Sequence, residues 1–177
     1  MLTSEIILQE AKALSDYMIA VRRDIHAHPE LGGKETRTQA LILKELEAMG
    51  IECAPCADTG VLGIIRGGKE GKVIGLRADI DALPVKEETG LPFASQNEGV
   101  MHACGHDLHT ASLLGAAKLL NAHKEELQGT VKLFSSPMKK VTAELSAWWT
   151  RAVWKIPRWT LCSAATTPPA PVPVLTV

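Results

Sequence analysis

"VLGIIRGGKEGKVIGLRAD" (61–79) holds two short apolar runs, "VLGIIRG" (61–67) and "KVIGLRAD" (72–79), separated by "GKEG". Runs this short and rich in Val and Ile read as buried strands, and the glycine-rich link between them reads as a hairpin. The second run continues through "GLRADIDALPV" (75–85) and delivers Asp79 and Asp81 at its end. Two residues apart, they project to one side if the strand continues. Carboxylates at the end of a buried strand can reach a cation or orient a ligand. The alternative is that one caps the following turn while the other is solvated.

Helical patterns surround this pair. Residues 4–27 place Ile6, Ile7, Leu14, Tyr17, Met18, Val21 and Ile25 at helical spacing, with Ser4 as N-cap and Pro29 ending the run. A second amphipathic helix is expected over about 34–49, closed by Gly50. "LPVKEETGLPF" is a proline-punctuated loop. A helix over about 106–123 follows, then Gly129 and a strand "TVKLF". Helices alternating with buried strands argue for a layered α/β domain, with loops at the strand ends available for a site.

The 177 residues suffice for one ordinary domain, and 46% hydrophobic with 22% charged residues matches a soluble globular chain. A net charge of −1 gives no reason to expect nucleic acid or an anionic membrane as partner. No run approaches the ~20 apolar residues needed to span a bilayer. The N-terminus lacks a basic stretch and a cleavage site of the secretory kind. Four scattered cysteines do not make a disulfide scaffold, so a reducing cytoplasm is the expected location.

The densest chemistry lies in "GVMHACGHDLHTASLLGAAKLL" (99–120), with His102, Cys104, His106 and His109 inside eight positions. Cys104 and His106 flank one glycine, which permits the tight turn that lets a thiolate and an imidazole converge on one cation. Such ligands suit zinc and its transition-metal neighbours. Asp107 could orient a ligating imidazole. His102 and His106 form an alternative ligand pair if the helix starts earlier. The plainer possibility is a buried cysteine and helix-start histidines that only pack and hydrogen-bond. Cys53 and Cys56 have CxxC spacing, but they lead into a turn, "ADTG", where a redox pair would open a helix. "HAHPELGGKE" (26–35) reads as a helix-terminating turn.

Taken together, "RRDIHAHPELGGKE", "GLRADIDALPVKEETGLPFAS" and "GVMHACGHDLHTASLLGAAKLL", in this order, resemble the M20 metallopeptidase family over residues 1–134. The branch they resemble is that of amidohydrolases acting on N-acyl amino acids, hippurate and auxin conjugates. The resemblance implies the N-terminal part of a zinc-exopeptidase-like three-layer α/β/α domain. It also implies a pair of divalent ions (Zn, Mn, Ni or Co), an N-acyl amino acid as small-molecule substrate, and full-length relatives that are often homo-oligomers. Cys104 and His106 carry over as metal ligands, and Asp79 as the carboxylate that orients a ligand. Arg77 stands where many members have a ligating histidine.

In the family a "QPAEE"-like stretch follows the "GTVKL" strand, its first glutamate acting as general base and its second as ligand. Here the chain reads "GTVKLFSSPMKKVTAEL", with no Glu pair after Leu133 and no histidine after His123. Composition changes at the same place. All fourteen glycines lie at or before Gly129, while all four tryptophans lie between Trp148 and Trp159. Residues 1–134 carry 14 Lys/Arg against 19 Asp/Glu, a net of −5; residues 135–177 carry 5 against 1, a net of +4. Met and Trp have single codons, so a one-base shift forces several new residues. Met138–Lys139 becomes Glu, Trp148–Trp149 Val, Trp149–Thr150 Asp, Trp154–Lys155 Glu, and Trp159–Thr160 Asp. Permitted codons elsewhere restore a Glu-Glu pair, a glycine-rich turn and a later histidine. Residues 135–177 are therefore expected to be out-of-frame translation, poorly ordered and incapable of completing the site. The rival expectation is a non-catalytic metal- or partner-binding protein that docks through its basic, Trp-rich tail.

Overall fold

A computed structural model describes residues 3–56, 58–136 and, as backbone, the strand 174–176. Helices α1 (Ser4–Ala13) and α2 (Ser15–Ala27) replace the single expected helix, because Leu14 leaves helical geometry at φ −86°, ψ 0°. The N-cap is Thr3 and not Ser4: its hydroxyl accepts the Ile6 amide at 3.3 Å. Helix α3 (Thr36–Ala48) ends as expected. Gly50, at φ +69°, donates to Glu47 and lets Ile51 donate to Leu46, satisfying two terminal carbonyls. Helix α4 spans His106–Ala122.

Five strands form one sheet: β1 (Glu52–Cys56), β2 (Gly60–Arg66), β3 (Lys69–Asp79), β4 (Gln128–Ser136) and β5 (Val174–Thr176), in the order β1-β2-β4-β3-β5. The expected hairpin between β2 and β3 does not form. Strand β4 lies between them, antiparallel to β2 and parallel to β3, with Ile65 and Ile74 both opposite Val131. The glycines in the link serve close backbone approach. The Gly67 amide donates to the Gly129 carbonyl at 2.8 Å, and a Cβ on Gly67 would stand 2.4 Å from the Leu127 carbonyl oxygen. Gly129 sits at φ +96°, where a Cβ would stand 2.0 Å from the Lys72 carbonyl oxygen. Three backbone segments meet where the local pattern suggests a simple reversal.

The core lies between one face of this sheet and the helices. Val61, Ile65, Ala78, Val131 and Leu133 pack with Ile25, Ile42, Leu46, Leu113 and Leu114, all buried. Their burial removes ordinary apolar side chains from water, worth about 1.5–3 kcal/mol each before conformational entropy is counted. Leu62, Ile64 and Phe134 form a smaller cluster from alternate positions of β2 and β4. The described residues thus supply a mixed α/β sheet and one helical layer. Ser135 and Ser136 continue β4, and Val174–Thr176 run parallel to Gly75–Arg77. The expectation of a poorly ordered tail otherwise falls on 137–173 and 177, outside the described residues.

Candidate metal centre

Strands β3 and β4 run parallel and end side by side, with Asp79 opposite Ser136. Crevices beyond the carboxyl ends of parallel strands are the usual ligand sites of α/β folds. The chain returns to this spot through the 84–105 loop, closed by a bridge between Leu83 and Met101. Gly105, at φ +80°, is the N-cap that turns the chain into α4. This is the backbone freedom expected of the glycine between Cys104 and His106.

His106 is buried, and its Nδ1 faces the Asp81 backbone oxygen at 2.8 Å and Asp81 Oδ1 at 3.0 Å. Both are acceptors, so Nδ1 carries the proton and Nε2 keeps its lone pair for a cation. One turn along α4, His109 brings its ring centroid to 5.5 Å from that of His106, and its buried Nδ1 makes no hydrogen bond among the described residues. Ligand atoms of Asp79, His106 and His109 all lie within 4.8 Å of one another. Nitrogen and carboxylate donors in that arrangement fit a divalent transition metal. Thr110 closes the layer beneath, donating to the His106 carbonyl at 2.9 Å and the Asp79 carbonyl at 3.3 Å.

The residues singled out in the sequence fall in different places. His106 and Asp79 come together; Cys104 is exposed on the turn just before Gly105 and is not part of the three-residue group. His109, which the resemblance left without a role, joins them; its i, i+3 spacing from His106 on a helix was the available signal. Asp107 does not orient a site imidazole. Its Oδ2 accepts from His26 Nδ1 and from Arg22 Nε, each at 2.8 Å, and the orienting role falls to Asp81. Because α4 starts at His106, His102 stays in the preceding turn, and neither ring nitrogen has a hydrogen-bond partner among the described residues. Burial lowers the His102 imidazole to about 4, so it is neutral at pH 7. Arg77 pairs with Asp79 Oδ1 and donates from Nε to Ser136 Oγ at 3.2 Å, which ties the ends of β3 and β4 together.

The CxxC pair lies on strand β1 and opens no helix. Burial raises the Cys56 thiol to about 11 and also raises Cys53, with the Glu47 carboxylate adding to the second. Both shifts oppose the thiolate that a redox motif needs.

The described residues therefore form a mixed α/β unit with a histidine–carboxylate group at its parallel strand ends, a setting in which a divalent cation can be held. The sequence pattern of Peptidase family M20/M25/M40 matches residues 75–138. The chain is 49% identical over 134 residues to the N-acetylcysteine deacetylase of Bacillus subtilis (strain 168), covering 75% of this chain and 35% of that one. It is 49% identical over 126 residues to the IAA-amino acid hydrolase ILR1-like 5 of Arabidopsis thaliana, covering 71% and 29%. In three dimensions it matches the YXEP protein of Bacillus subtilis, described as a dinuclear metal binding peptidase from the M20 family. That match has a TM-score of 0.73 and 46% identity, and covers 79% of this chain and 41% of that one. Over the stretch that these matches cover, the chain is similar to proteins of the M20 family. It spans about a third of the length of the curated relatives it matches.

Proposed function

We propose that this chain carries the opening half of a metal-dependent amidohydrolase site that acts on the amide bond of N-acyl amino acids. The observation that carries the reading is His106, its Nδ1 held by Asp81 and its ring grouped with Asp79 and His109. The relatives named for N-acetylcysteine and IAA–amino acid hydrolysis support the substrate class. Zinc, manganese, nickel or cobalt fits the donor set, with His106, Cys104 and His109 the residues that would hold it and Asp79 ligand or orienter. When bound, a divalent ion supplies the Lewis acidity that amide hydrolysis at neutral pH requires. The protein's own part is to fix the His106 tautomer, to hold Asp79 against Arg77, and to join the strand ends through Ser136.

As written, these 177 residues supply no glutamate pair after the β4 strand: Glu144 is the single acid from Ser135 onward. A general base contributes typically 10²–10⁴-fold. We therefore read the chain as a hydrolase segment with little or no turnover of its own, whose sequence from Ser135 is out of frame. Three cysteines, Cys53, Cys56 and Cys104, are free thiols, in keeping with a reducing, cytoplasmic setting. The test compares N-acetyl amino acid hydrolysis, with added divalent metal, by this chain and by a version whose coding sequence is shifted back by one base at Phe134. Chelator-sensitive activity in the restored protein alone supports the reading. Equal activity in the 177-residue chain refutes it.

A further inference from the structure

The motif "RRDIHAHPE" contains two histidines, His26 and His28, that the metal reading does not use, and the first of them is enclosed. His26, near the end of α2, is buried, and each ring nitrogen faces a carboxylate. Nδ1 lies 2.8 Å from Asp107 Oδ2 on α4, and Nε2 lies 3.1 Å from Glu87 Oε1 on the 84–105 loop. Both acceptors have further donors. Arg22 Nε reaches the same Asp107 oxygen at 2.8 Å. Glu87 accepts the Ser95 amide at 2.6 Å and the Thr89 hydroxyl, and these bonds with His26 hold its carboxyl below the usual range although burial opposes the shift. A carboxylate can only accept, so an imidazole between two of them donates from both nitrogens.

We propose that His26 is a positioning residue for the metal centre, a doubly donating peg that fixes the first turn of α4 and the loop ahead of it. The proposal rests on the metal reading above. Arg22 and His26 face the two carboxylates Asp107 and Glu87, so each carboxylate of the buried cluster has a nitrogen beside it. The groups facing the ring are completed by Phe93, edge-on at 5.5 Å, and His102 at 6.4 Å between centroids; Arg22 and Arg23 cover the Phe93 ring from 5.3 and 5.0 Å. The same strap is held by backbone: Gln96 donates to the Ala27 carbonyl at 2.8 Å, and Asn97 Nδ2 donates to Pro29 at 2.7 Å. Asp107 directly follows His106. Pinning Asp107 and Glu87 to one ring therefore sets where Cys104, His106 and His109 stand relative to the end of β3.

The experiment uses the full chain. Nitrogen NMR of the His26 ring at pH 7 is expected to show both nitrogens protonated. Glu87→Gln keeps the shape of the arm and removes its charge; it is expected to free one ring nitrogen and to speed hydrogen exchange at the Ser95 and Gln96 amides roughly tenfold, the loss of a charge-assisted bond. His26→Ala is expected to weaken zinc binding about tenfold, as loss of an outer-shell support does. A singly protonated ring in the native chain overturns the proposal. So does zinc affinity unchanged in both variants while the native chain binds zinc. If the native chain binds no zinc, the metal reading fails, and the ring nitrogens and amide exchange still decide the peg by themselves.

Discussion

Replacing Asp81 by asparagine tests the support of His106 with the least disturbance. The carboxylate reaches Nδ1 at 3.0 Å and the backbone oxygen of the same residue reaches it at 2.8 Å. Asparagine keeps an oxygen in the first position and leaves the second untouched, so the proton stays on Nδ1 and Nε2 stays available. Only the negative charge is lost, and with it the extra basicity that a carboxylate confers on a ligating imidazole. Outer-shell changes cost 10- to 100-fold in metal affinity; with the tautomer retained, the low end applies, about tenfold or about 1.4 kcal/mol. Calorimetric titration of zinc or cobalt into the full chain measures the loss, and circular dichroism confirms that the fold is intact. An unchanged affinity in a folded Asp81→Asn variant would mean that the Asp81–His106 pair does not support a ligand, and the metal centre as drawn would fall with it.

Other expectations follow from the same geometry. Gly129→Ala should cost about 3 kcal/mol or more, combining a left-handed backbone penalty with overlap against the Lys72 carbonyl; denaturant unfolding reads it, and a cost below ~1 kcal/mol would contradict the insertion of β4 between β2 and β3. Among the described cysteines, alkylation at pH 8 should label exposed Cys104 well before Cys56, whose thiol burial raises to about 11; peptide mass mapping gives the order. Glu35 is fully buried, with its carboxyl raised chiefly by burial although Thr59 Oγ1 donates to it at 2.6 Å. Its folded pKa lies above the unfolded one, so its ionised form opposes folding near neutrality and the penalty is relieved as pH falls through the folded pKa. Glu35→Gln should then be as stable as the native chain or more so at pH 7, with the difference closing on acidification; a variant clearly less stable at pH 7 would contradict this.

Much of the helical layer is visible in the linear pattern. The spacing of Leu41, Leu46 and Met49 with Gly50 marks α3 to within two residues, and the start of α4 at His106 follows from the glycine before it. Two local patterns hide structure. The "GKEG" link looks like a reversal because nothing nearby announces that a strand some sixty residues later will enter the gap. The CxxC segment gives no strand signal of its own, because a proline stands between its two cysteines, yet it forms an edge strand, where proline is tolerated. Within the site, Asp107 was the nearest carboxylate in sequence to His106, yet it turns to Arg22 and His26, more than eighty positions away.

The sequence by itself determined the periodic elements, the change of composition after Phe134, and the set of side chains able to bind a cation, since each depends on residue type and short-range spacing. Tertiary structure alone decided strand order, which carboxylate holds which imidazole, and that His109 comes within reach of Asp79 and His106. Those outcomes depend on where separate segments meet when the apolar faces of α2, α3 and α4 close on the sheet. Burial then makes every polar atom near that junction find a partner wherever in the chain it lies.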